Sequence, residues 1–370
     1  MSFFYFNPPK QFLTNVVNSQ IAASLTAQTA SLKPKSSKIT LLDRKSDHIE
    51  LAFKSQTDKS TIDSRFYYEP MLSGHESVLP EYAFDGKKMG APIWVSSMTG
   101  GTEKAHKINH NLASACAEFG MGMGLGSCRP LLDSNDRFDD FNLRPLIGDN
   151  LPFYANLGIA QLEHLLTDGK QQEIIDLVNR LEADGLIVHV NPMQEWLQPE
   201  GDRFVKTPLQ IIDELLDKTQ LKLIVKEVGQ GFGPASMKEL LKRPLVAVDF
   251  AAHGGTNFAL LEMLRASESS LENYAGLAKI GHDANEMVEM ANRIFEEDYE
   301  INTNQLIISG GVKNFLDGYY LINKSKLNAV YGQASALLRH AQGHYDKLVE
   351  YLTSQINGLK VANSYLRIKA

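Results

Sequence analysis

The chain has 370 residues, of which 43% are hydrophobic, 22% charged and 9% aromatic, a composition typical of a globular protein rather than a disordered or fibrous one. Its 37 basic and 44 acidic side chains give a formal charge of −7, which argues against nucleic acid as the main ligand because phosphate backbones require a basic surface. Two cysteines, Cys116 and Cys128, are too few for a disulfide framework or a four-thiolate zinc site and fit a reducing compartment.

Residues 1–42 differ from the rest of the chain because they contain no Asp or Glu, four Lys and ten Ser or Thr. This composition overlaps that of organelle transit peptides, although Arg is absent. The alternative is a flexible extension, since so few hydrophobic residues support no core. No run in the chain reaches the roughly 18 apolar residues of a membrane span, so we expect a cytoplasmic protein with no membrane partner.

Short runs rich in Val, Ile, Leu, Ala and Gly predict buried parallel strands, with helical patterns between them. Eight such units match a closed (β/α)8 TIM barrel better than an open doubly wound sheet, which commonly has five or six strands. We therefore predict a barrel over residues 91–370, a preceding segment 43–90 that packs on it, and an extension 1–42. The predicted strands are 91–98, 120–127, 152–158, 185–191, 221–229, 245–251, 306–312 and 329–334.

Polar residues follow almost every predicted strand. In this architecture the reactive groups lie where strands end and loops begin, so these residues are expected to converge in one ligand pocket. They are Thr99, Ser127, Arg129, Asn156, His189, Asn191, Lys226, Thr256, Ser309 and Gln333.

Glycines mark the ends of the last two predicted strands. Gly310 and Gly311 follow the seventh strand and Gly332 lies in the eighth, where such barrels commonly bind phosphate through exposed backbone N–H groups. The alternative is that these glycines only form tight turns. Gly100 and Gly101, after the first strand, would let backbone approach a flat ring closely.

Lys226 ends a run of Leu, Ile and Val, so its ammonium group is expected to point into the barrel mouth. A desolvated cation there implies a negatively charged ligand. A salt bridge to Glu227 is the alternative, but adjacent strand residues face opposite sides of a sheet.

The run from His189 to Glu195 is the most distinctive in the chain. His189 and Asn191 share a strand face, and a turn at Pro192 would place Gln194 and Glu195 over the mouth. Glu195 could hold Mg²⁺, which needs only one or two protein carboxylates when substrate phosphate and water supply the other ligands. Spacing leaves open the alternative of a core histidine and a solvated glutamate.

Two basic clusters could bind a phosphate ester. Arg44 and Lys45 precede the barrel, and Ser127 with Arg129 follows its second predicted strand. Arginine binds oxyanions in bidentate fashion. For Arg44 and Lys45, a solvated charge pair remains an equally open interpretation.

These motifs occur in a defined order over about residues 42–340. They are Arg44-Lys45 with His48, Met98-Thr99-Gly100-Gly101, Gly126-Ser127-Cys128-Arg129, Asn156-Leu157-Gly158, His189 through Glu195 followed by Gln198-Pro199-Glu200-Gly201-Asp202, Lys226-Glu227-Val228-Gly229, Gly254-Gly255-Thr256 and Ser309-Gly310-Gly311. The combination resembles the type 2 isopentenyl-diphosphate isomerases.

This resemblance implies that the chain converts isopentenyl diphosphate to dimethylallyl diphosphate with reduced FMN as acid and base, Mg²⁺ on the diphosphate and NADPH as the flavin reductant. It also implies a homo-oligomer, either an octamer or a tetramer. Gln194, His189 and Asn191 would be catalytic, and Glu195 would bind the metal. The substrate would contact Arg44, Lys45, Ser127, Arg129 and Gln194. FMN would contact Ser97, Met98, Thr99, Ser127, Asn156, Lys226, Thr256, Gly310, Gly311, Ala334 and Ser335.

Two departures keep other functions open. His253-Gly254-Gly255-Thr256 is similar to the His-Gly-Gly-Arg motif of FMN-dependent 2-hydroxy-acid oxidases, in which the histidine is the base, although Thr256 replaces the carboxylate-binding arginine. Residues 279–285 replace a Trp-Gly-Ile-Pro-Thr stretch often found in the isomerases. The alternatives are therefore an oxidoreductase of the 2-hydroxy-acid oxidase type and a non-catalytic barrel that retains a phosphate ligand.

Overall fold

The structure is a computed structural model, and it describes residues 41–75, 78–97, 103–266, 272–298 and 300–369. The chain divides into two compact units, Met1–Asp63 and Ser64–Ala370. In the first unit, helix α1 (Leu41–Leu51) is followed by a 3-10 turn, Lys59–Thr61. The carboxylate of Asp58 caps this turn by accepting a hydrogen bond from the amide of Ser60.

Eight parallel strands of the second unit form a closed barrel in which strands consecutive along the chain are neighbours and the last pairs with the first. All eight predicted strands and the TIM barrel are confirmed. Several strands are shorter than predicted, because the chain leaves the ladder early and the remaining residues form the loops at the barrel mouth. The strands are β1 (Phe66–Tyr68), β2 (Tyr82–Phe84), β3 (Lys87–Met89), β4 (Ile93–Val95), β5 (Gly122–Gly124), β6 (Phe153–Gly158), β7 (Gly185–His189), β8 (Leu223–Lys226), β9 (Ala247–Asp249), β10 (Gln305–Ser309), β11 (Asn328–Gln333) and β12 (Leu366–Ile368).

Helices follow the barrel strands, and the longer amphipathic ones bury their apolar faces against the outside of the sheet. None of the helices in the described part of the chain is long and apolar enough to cross a membrane. They are α2 (Glu103–Phe119), α3 (Pro130–Asp133), α4 (Arg144–Ile147), α5 (Ile159–Thr167), α6 (Gln171–Arg180), α7 (Pro192–Leu197), α8 (Pro208–Thr219), α9 (Pro234–Lys242), α10 (Phe258–Arg265), α11 (Ala284–Glu297), α12 (Phe315–Lys324), α13 (Ser335–Ala341) and α14 (Tyr345–Tyr365).

Large side chains fill the barrel interior, so the barrel is packed rather than open along its axis. Trp94, Tyr154, Ile187, Ile224 and Ile307 are fully buried and belong to one interior cluster. Because strand side chains alternate between the two faces, the residue two positions beyond each of these also points inward, toward the carboxyl end of the strands.

The hairpin formed by β2 and β3 closes the amino-terminal end of the barrel. Its turn residues Asp85 and Gly86 have φ values of 49° and 75°, the left-handed conformations of a type I′ turn. Phe84 packs against Trp94 with ring centroids 4.9 Å apart. The hydroxyl of Tyr154 donates a hydrogen bond to Asp85 Oδ2 at 2.6 Å. Ligand access is therefore left to the opposite, carboxyl-terminal end.

The two ends of the second unit meet in a small antiparallel sheet outside the barrel. Strands β1 and β12 pair with Phe66 opposite Ile368. Helix α14, which precedes β12, packs on α12 and α13. The carboxyl terminus is thereby attached to the segment that leads into the barrel.

Candidate active site

Two adjoining cavities lie at the carboxyl ends of the barrel strands. One, the cradle cavity, has a volume of about 80 Å³ and lies against the loops after β10 and β11. The other, the amide cavity, has a volume of about 220 Å³ and lies against β5, β6 and β7 and helix α7. Both are lined by Ser97, Lys226, Val228 and Phe258, so they form two parts of one mouth.

Glycine backbone forms one wall of the cradle cavity. Gly310 has a φ of 87°, and a Cβ atom built on it would lie 2.1 Å from the carbonyl oxygen of Ala252. Only glycine fits this position, because any side chain would force the two backbone segments apart. The predicted residues Thr256, Ala334 and Ser335 also line this cavity.

Polar atoms without partners lie beneath the mouth. Ser96 Oγ and Ser97 Oγ are buried and have no hydrogen-bond partner among the described residues. The same holds for Oδ2 of Asp249, a fully buried residue whose Oδ1 accepts a hydrogen bond from Ser309 Oγ. Burial raises the pKa of Asp249. Buried polar atoms are usually paired, so this floor suits a polar ligand edge or ordered water.

Lys226 joins the two cavities. It is 7% exposed, and its Nζ donates a hydrogen bond to the carbonyl oxygen of Glu227 at 2.7 Å. The Glu227 carboxylate instead accepts hydrogen bonds from the loop amides of Gly229, Gln230 and Gly231. The alternative of a side-chain salt bridge between Lys226 and Glu227 is therefore not observed.

His189 is held as a neutral ring with a defined tautomer. Asn156 Nδ2 donates to the carbonyl oxygen of Leu125, which directs Asn156 Oδ1 toward His189 Nδ1 at 2.7 Å. An amide oxygen can only accept, so the proton lies on Nδ1 and Nε2 is the acceptor. Burial and the nearby charge of Lys226 lower the pKa of His189 to about 3.

Helix α7 presents Gln194 to the amide cavity. Pro192 begins this helix instead of making the expected turn, because proline suits the first helical position and Asn191 precedes it as the N-cap. Gln194 Oε1 accepts from Asn191 Nδ2 at 3.2 Å, and Gln194 Nε2 donates to Glu262 Oε1 at 3.1 Å. The two contacts fix which end of the amide faces which neighbour.

Sequence reasoning missed Glu262 and Gln161. Glu262 lies on α10 and is 3% exposed. Gln161 lies on α5, lines the amide cavity and is 9% exposed. Each is a buried polar residue next to apolar residues of its helix, and this interruption of the apolar face was the available signal.

Both carboxylate oxygens of Glu195 are engaged. Oε1 accepts from Asn191 Nδ2 at 2.9 Å, and Oε2 accepts from the backbone amide of Asp202 at 2.8 Å. In the described part of the chain, no group of three or more His, Cys, Asp or Glu residues could hold a metal by itself. Any metal at Glu195 would therefore take most of its ligands from water or a bound anion.

The predicted anion-binding residues Ser127 and Arg129 also line the amide cavity. Arg129 is bound on one side, because its Nη1 lies 3.5 Å from Oδ2 of Asp202.

Four predicted site residues cannot be assigned to this mouth. Met98 and Thr99 lie outside the described residues. Arg44 and Lys45 belong to α1 in the amino-terminal unit, where Lys45 is exposed and the side chain of Arg44 is outside the described part. All the other predicted site residues line one or both cavities. They are Ser97, Ser127, Arg129, Asn156, His189, Asn191, Gln194, Glu195, Lys226, Thr256, Gly310, Gly311, Ala334 and Ser335.

His253, the base expected for an oxidase, lines a different cavity together with Arg65 and Lys313. It is among the residues of neither the cradle cavity nor the amide cavity. His253 is therefore not among the residues that line the mouth, although its cavity shares Gly310 and Gly311 with the cradle cavity.

Solved structures of similar fold include a double mutant of flavocytochrome b2 with pyruvate bound, which has a TM-score of 0.56 and 14% identity and covers 97% of this chain and 88% of that chain. A mandelate oxidase mutant with a monooxide FMN adduct has a TM-score of 0.51 and 11% identity, with coverages of 82% and 88%. At these identities the likeness concerns the fold alone. No protein-family model matches the chain.

Curated relatives are much closer in sequence. The isopentenyl-diphosphate delta-isomerase of Rickettsia prowazekii (strain Madrid E) is 33% identical over 327 residues, which cover 86% of this chain and 92% of the relative. That of Rickettsia akari (strain Hartford) is 35% identical over 330 residues, with coverages of 86% and 91%. Identity at this level over nearly the whole length shows common family membership. The chain belongs to the isopentenyl-diphosphate delta-isomerase family.

Proposed function

We propose that this isomerase moves the double bond of isopentenyl diphosphate with reduced FMN across the mouth formed by the cradle and amide cavities, Mg²⁺ on the diphosphate and NADPH as the flavin reductant. The observation that carries the proposal is Lys226, a buried cation that lines both the glycine-walled cavity and the cavity containing Gln194. A desolvated lysine favours an anionic ligand beside it.

The residues around the cradle cavity fit FMN. The close approach of Gly310 to Ala252 leaves backbone as the cavity wall, and the unpartnered hydroxyls of Ser96 and Ser97 offer polar contacts to a ring edge. In this proposal the described residues that hold FMN are Ser97, Ser127, Asn156, Lys226, Thr256, Gly310, Gly311, Ala334 and Ser335, and Met98 and Thr99 complete the set.

The chemistry explains the need for such a cofactor. The reaction protonates an unactivated alkene and removes a proton from a neighbouring carbon, and no ordinary side chain is acidic enough for the first step. Reduced FMN would supply an electron-rich ring that stabilises the developing positive charge and exchanges a proton. The Lys226 ammonium would favour the anionic form of that ring.

Gln194 is the residue we propose to orient or relay the proton at the substrate. Its amide is directed by Asn191 on one side and Glu262 on the other. The neutral ring of His189, with Nε2 as acceptor, supports the same cavity. In this assignment Glu262 is a positioning residue, since it acts through Gln194.

Glu195 fits a Mg²⁺ site of the kind that keeps several waters and binds substrate phosphate. Its carboxylate is held in place by Asn191 and by the backbone of Asp202, which leaves the remaining coordination to the diphosphate. Ser127 and Arg129 would contact that diphosphate, and we propose that Arg44 and Lys45 do so as well.

A cytoplasmic homo-oligomer, octameric or tetrameric, belongs to the same proposal. Size-exclusion chromatography with light scattering tests the oligomeric state.

The decisive experiment is an anaerobic incubation of the purified protein with FMN, NADPH, Mg²⁺ and isopentenyl diphosphate. We expect dimethylallyl diphosphate, and we expect each omitted component to abolish or sharply reduce its formation. Glu195→Gln should raise the Mg²⁺ concentration required, whereas Glu200→Gln, which removes the same charge from an exposed residue of the next loop, should not. Turnover that is indifferent to FMN would refute the cofactor assignment.

The hydroxy-acid oxidase alternative makes the opposite spectroscopic prediction. An oxidase would bleach its flavin on addition of lactate or glycolate. We expect the oxidised flavin spectrum to remain unchanged, because His253 lines neither the cradle cavity nor the amide cavity.

A further inference from the structure

Asp202 contacts two polar residues that line the amide cavity, Arg129 and Gln161. Its Oδ2 lies 3.5 Å from Nη1 of Arg129 and accepts a hydrogen bond from Nε2 of Gln161 at 3.1 Å. The Asp202 side chain is 23% exposed, whereas that of Arg129 is 59% exposed. The acidic partner is thus the more enclosed member of the pair.

The backbone of Asp202 is fixed independently of its carboxylate. Its amide donates to Glu195 Oε2 at 2.8 Å, and Arg203 Nη1 donates to its carbonyl oxygen at 3.4 Å. The carboxylate therefore faces Arg129 and Gln161 while the main chain supports Glu195. Asp202 therefore does not have the arrangement of a second metal ligand beside Glu195, because its carboxylate oxygens face the nitrogen donors of Arg129 and Gln161.

The charges around the amide cavity indicate that Asp202 lowers its net positive charge. Among the described residues that line the amide cavity, Arg129 and Lys226 are cationic, Glu195 is anionic, and His189 is neutral. Asp202 contacts Arg129 from outside this lining and cancels the excess positive charge. A diphosphate that enters would meet no net positive charge and would compete with the Asp202 carboxylate for Arg129.

We propose that Asp202 is an internal counter-anion, which holds Arg129 and Gln161 until a diphosphate displaces it and thereby makes diphosphate binding depend on a divalent cation. The inference rests on the proposed role of Arg129 in binding the substrate's diphosphate. A bound cation would offset the repulsion between the diphosphate and the two carboxylates, Asp202 and Glu195.

Calorimetric titration of the full-length protein with inorganic pyrophosphate tests this without flavin or turnover. Without Mg²⁺, Asp202→Asn should bind pyrophosphate about three- to fivefold more tightly than the wild type, the range expected for one partly exposed charge. With saturating Mg²⁺ the difference should shrink. Isomerase assays on the same samples report separately on the proposed function, so either result can fail alone.

Glu200→Gln is the matched control, because Glu200 lies in the same loop, is exposed, and accepts a hydrogen bond from Gln198 two residues away. It should match the wild type in both titrations. The proposal is overturned if Asp202→Asn and Glu200→Gln behave alike, if no variant binds pyrophosphate, or if Asp202→Asn weakens binding in Mg²⁺, which would identify Asp202 as a metal ligand. Thermal melting checks folding, and Asp202→Ser repeats the titration if the Asn variant melts early.

Discussion

The two ends of the barrel differ in how far their polar groups are hydrogen-bonded within the chain. At the amino-terminal end, Asp85 accepts hydrogen bonds from Tyr154 and from Lys222, and its backbone amide donates to Gln305. At the carboxyl-terminal end, buried oxygens of Ser96 and Asp249 have no partner among the described residues. Unpaired buried polar atoms lower the stability of a folded chain, so the first arrangement stabilises the fold and the second leaves hydrogen-bonding capacity that a ligand could use.

The difference teaches how to separate structural from functional polar residues in one architecture. Both ends contain buried charged groups, and burial alone does not distinguish them. For Asp85, Ser96 and Asp249, the distinction lies in whether the hydrogen-bonding capacity is used within the chain. Substitutions at the two ends should therefore have opposite profiles, with activity lost at one end and stability at the other.

The largest expected effect is that of Gln194→Met at the carboxyl-terminal end. It removes the amide that Asn191 and Glu262 direct into the cavity while keeping a side chain of similar size. We expect kcat to fall by about a thousandfold, roughly 4 kcal/mol, the scale of a lost proton-transfer group. Melting temperature should change little, and a variant that retains most of its kcat would remove Gln194 from the chemistry.

A smaller effect, on stability, is expected from Asp249→Asn beneath the same cavity. Burial raises the pKa of Asp249 above its ordinary value of 3.8, so the folded state favours the neutral acid. The stability that this provides is complete below the unfolded pKa and is lost as pH rises through the folded pKa. Relative to the wild type, the Asn variant should therefore gain stability as pH rises, by about 1–3 kcal/mol in all. Urea unfolding at pH values from below the unfolded pKa to above the folded pKa measures this gain. If the difference in stability between the two proteins did not change with pH, Asp249 would be ionised in the folded state.

Tyr154→Phe at the amino-terminal end should cost about 1 kcal/mol of stability, since it removes one hydrogen bond to Asp85 and leaves the ion pair with Lys222 in place. Isomerase activity should be unchanged. If this variant instead lost activity at full stability, the proposed division of labour between the two ends would be wrong.

The smallest effect at neutral pH concerns the charge state of His189. Lys226→Met removes one of the two causes that lower its pKa, so the pKa should rise from about 3. It should remain below the ordinary value of 6.5, because burial is the larger cause. The ring stays neutral at neutral pH in both proteins, and NMR titration of the imidazole without added ligand detects the change. An unchanged pKa would mean that the Lys226 charge does not act on this ring.

Sequence patterns predicted the barrel because each strand has a local signal in the sequence. A short apolar run followed by polar residues can be recognised without knowing which distant residues it contacts. Because the carboxyl ends of the barrel strands lie at one face, those polar residues predicted a single pocket. Residues at strand ends, such as Asn156, His189 and Lys226, were found in this way.

Other features depended on contacts that sequence does not display. Glu262 reaches Gln194 across 68 positions of the chain, and Asp202 reaches Gln161 across 41. Local periodicity carries no information about which helices become neighbours around a closed barrel.

The amino-acid sequence by itself determined the eight-stranded architecture and the polar face at the ends of its strands, because both follow from hydrophobic alternation and strand polarity. Only the tertiary structure decided which amide direction Gln194 takes, which nitrogen of His189 carries the proton, and which carboxylate stands beside Arg129. These choices depend on hydrogen-bond partners that come from separate elements, and barrel closure is what brings those elements within reach.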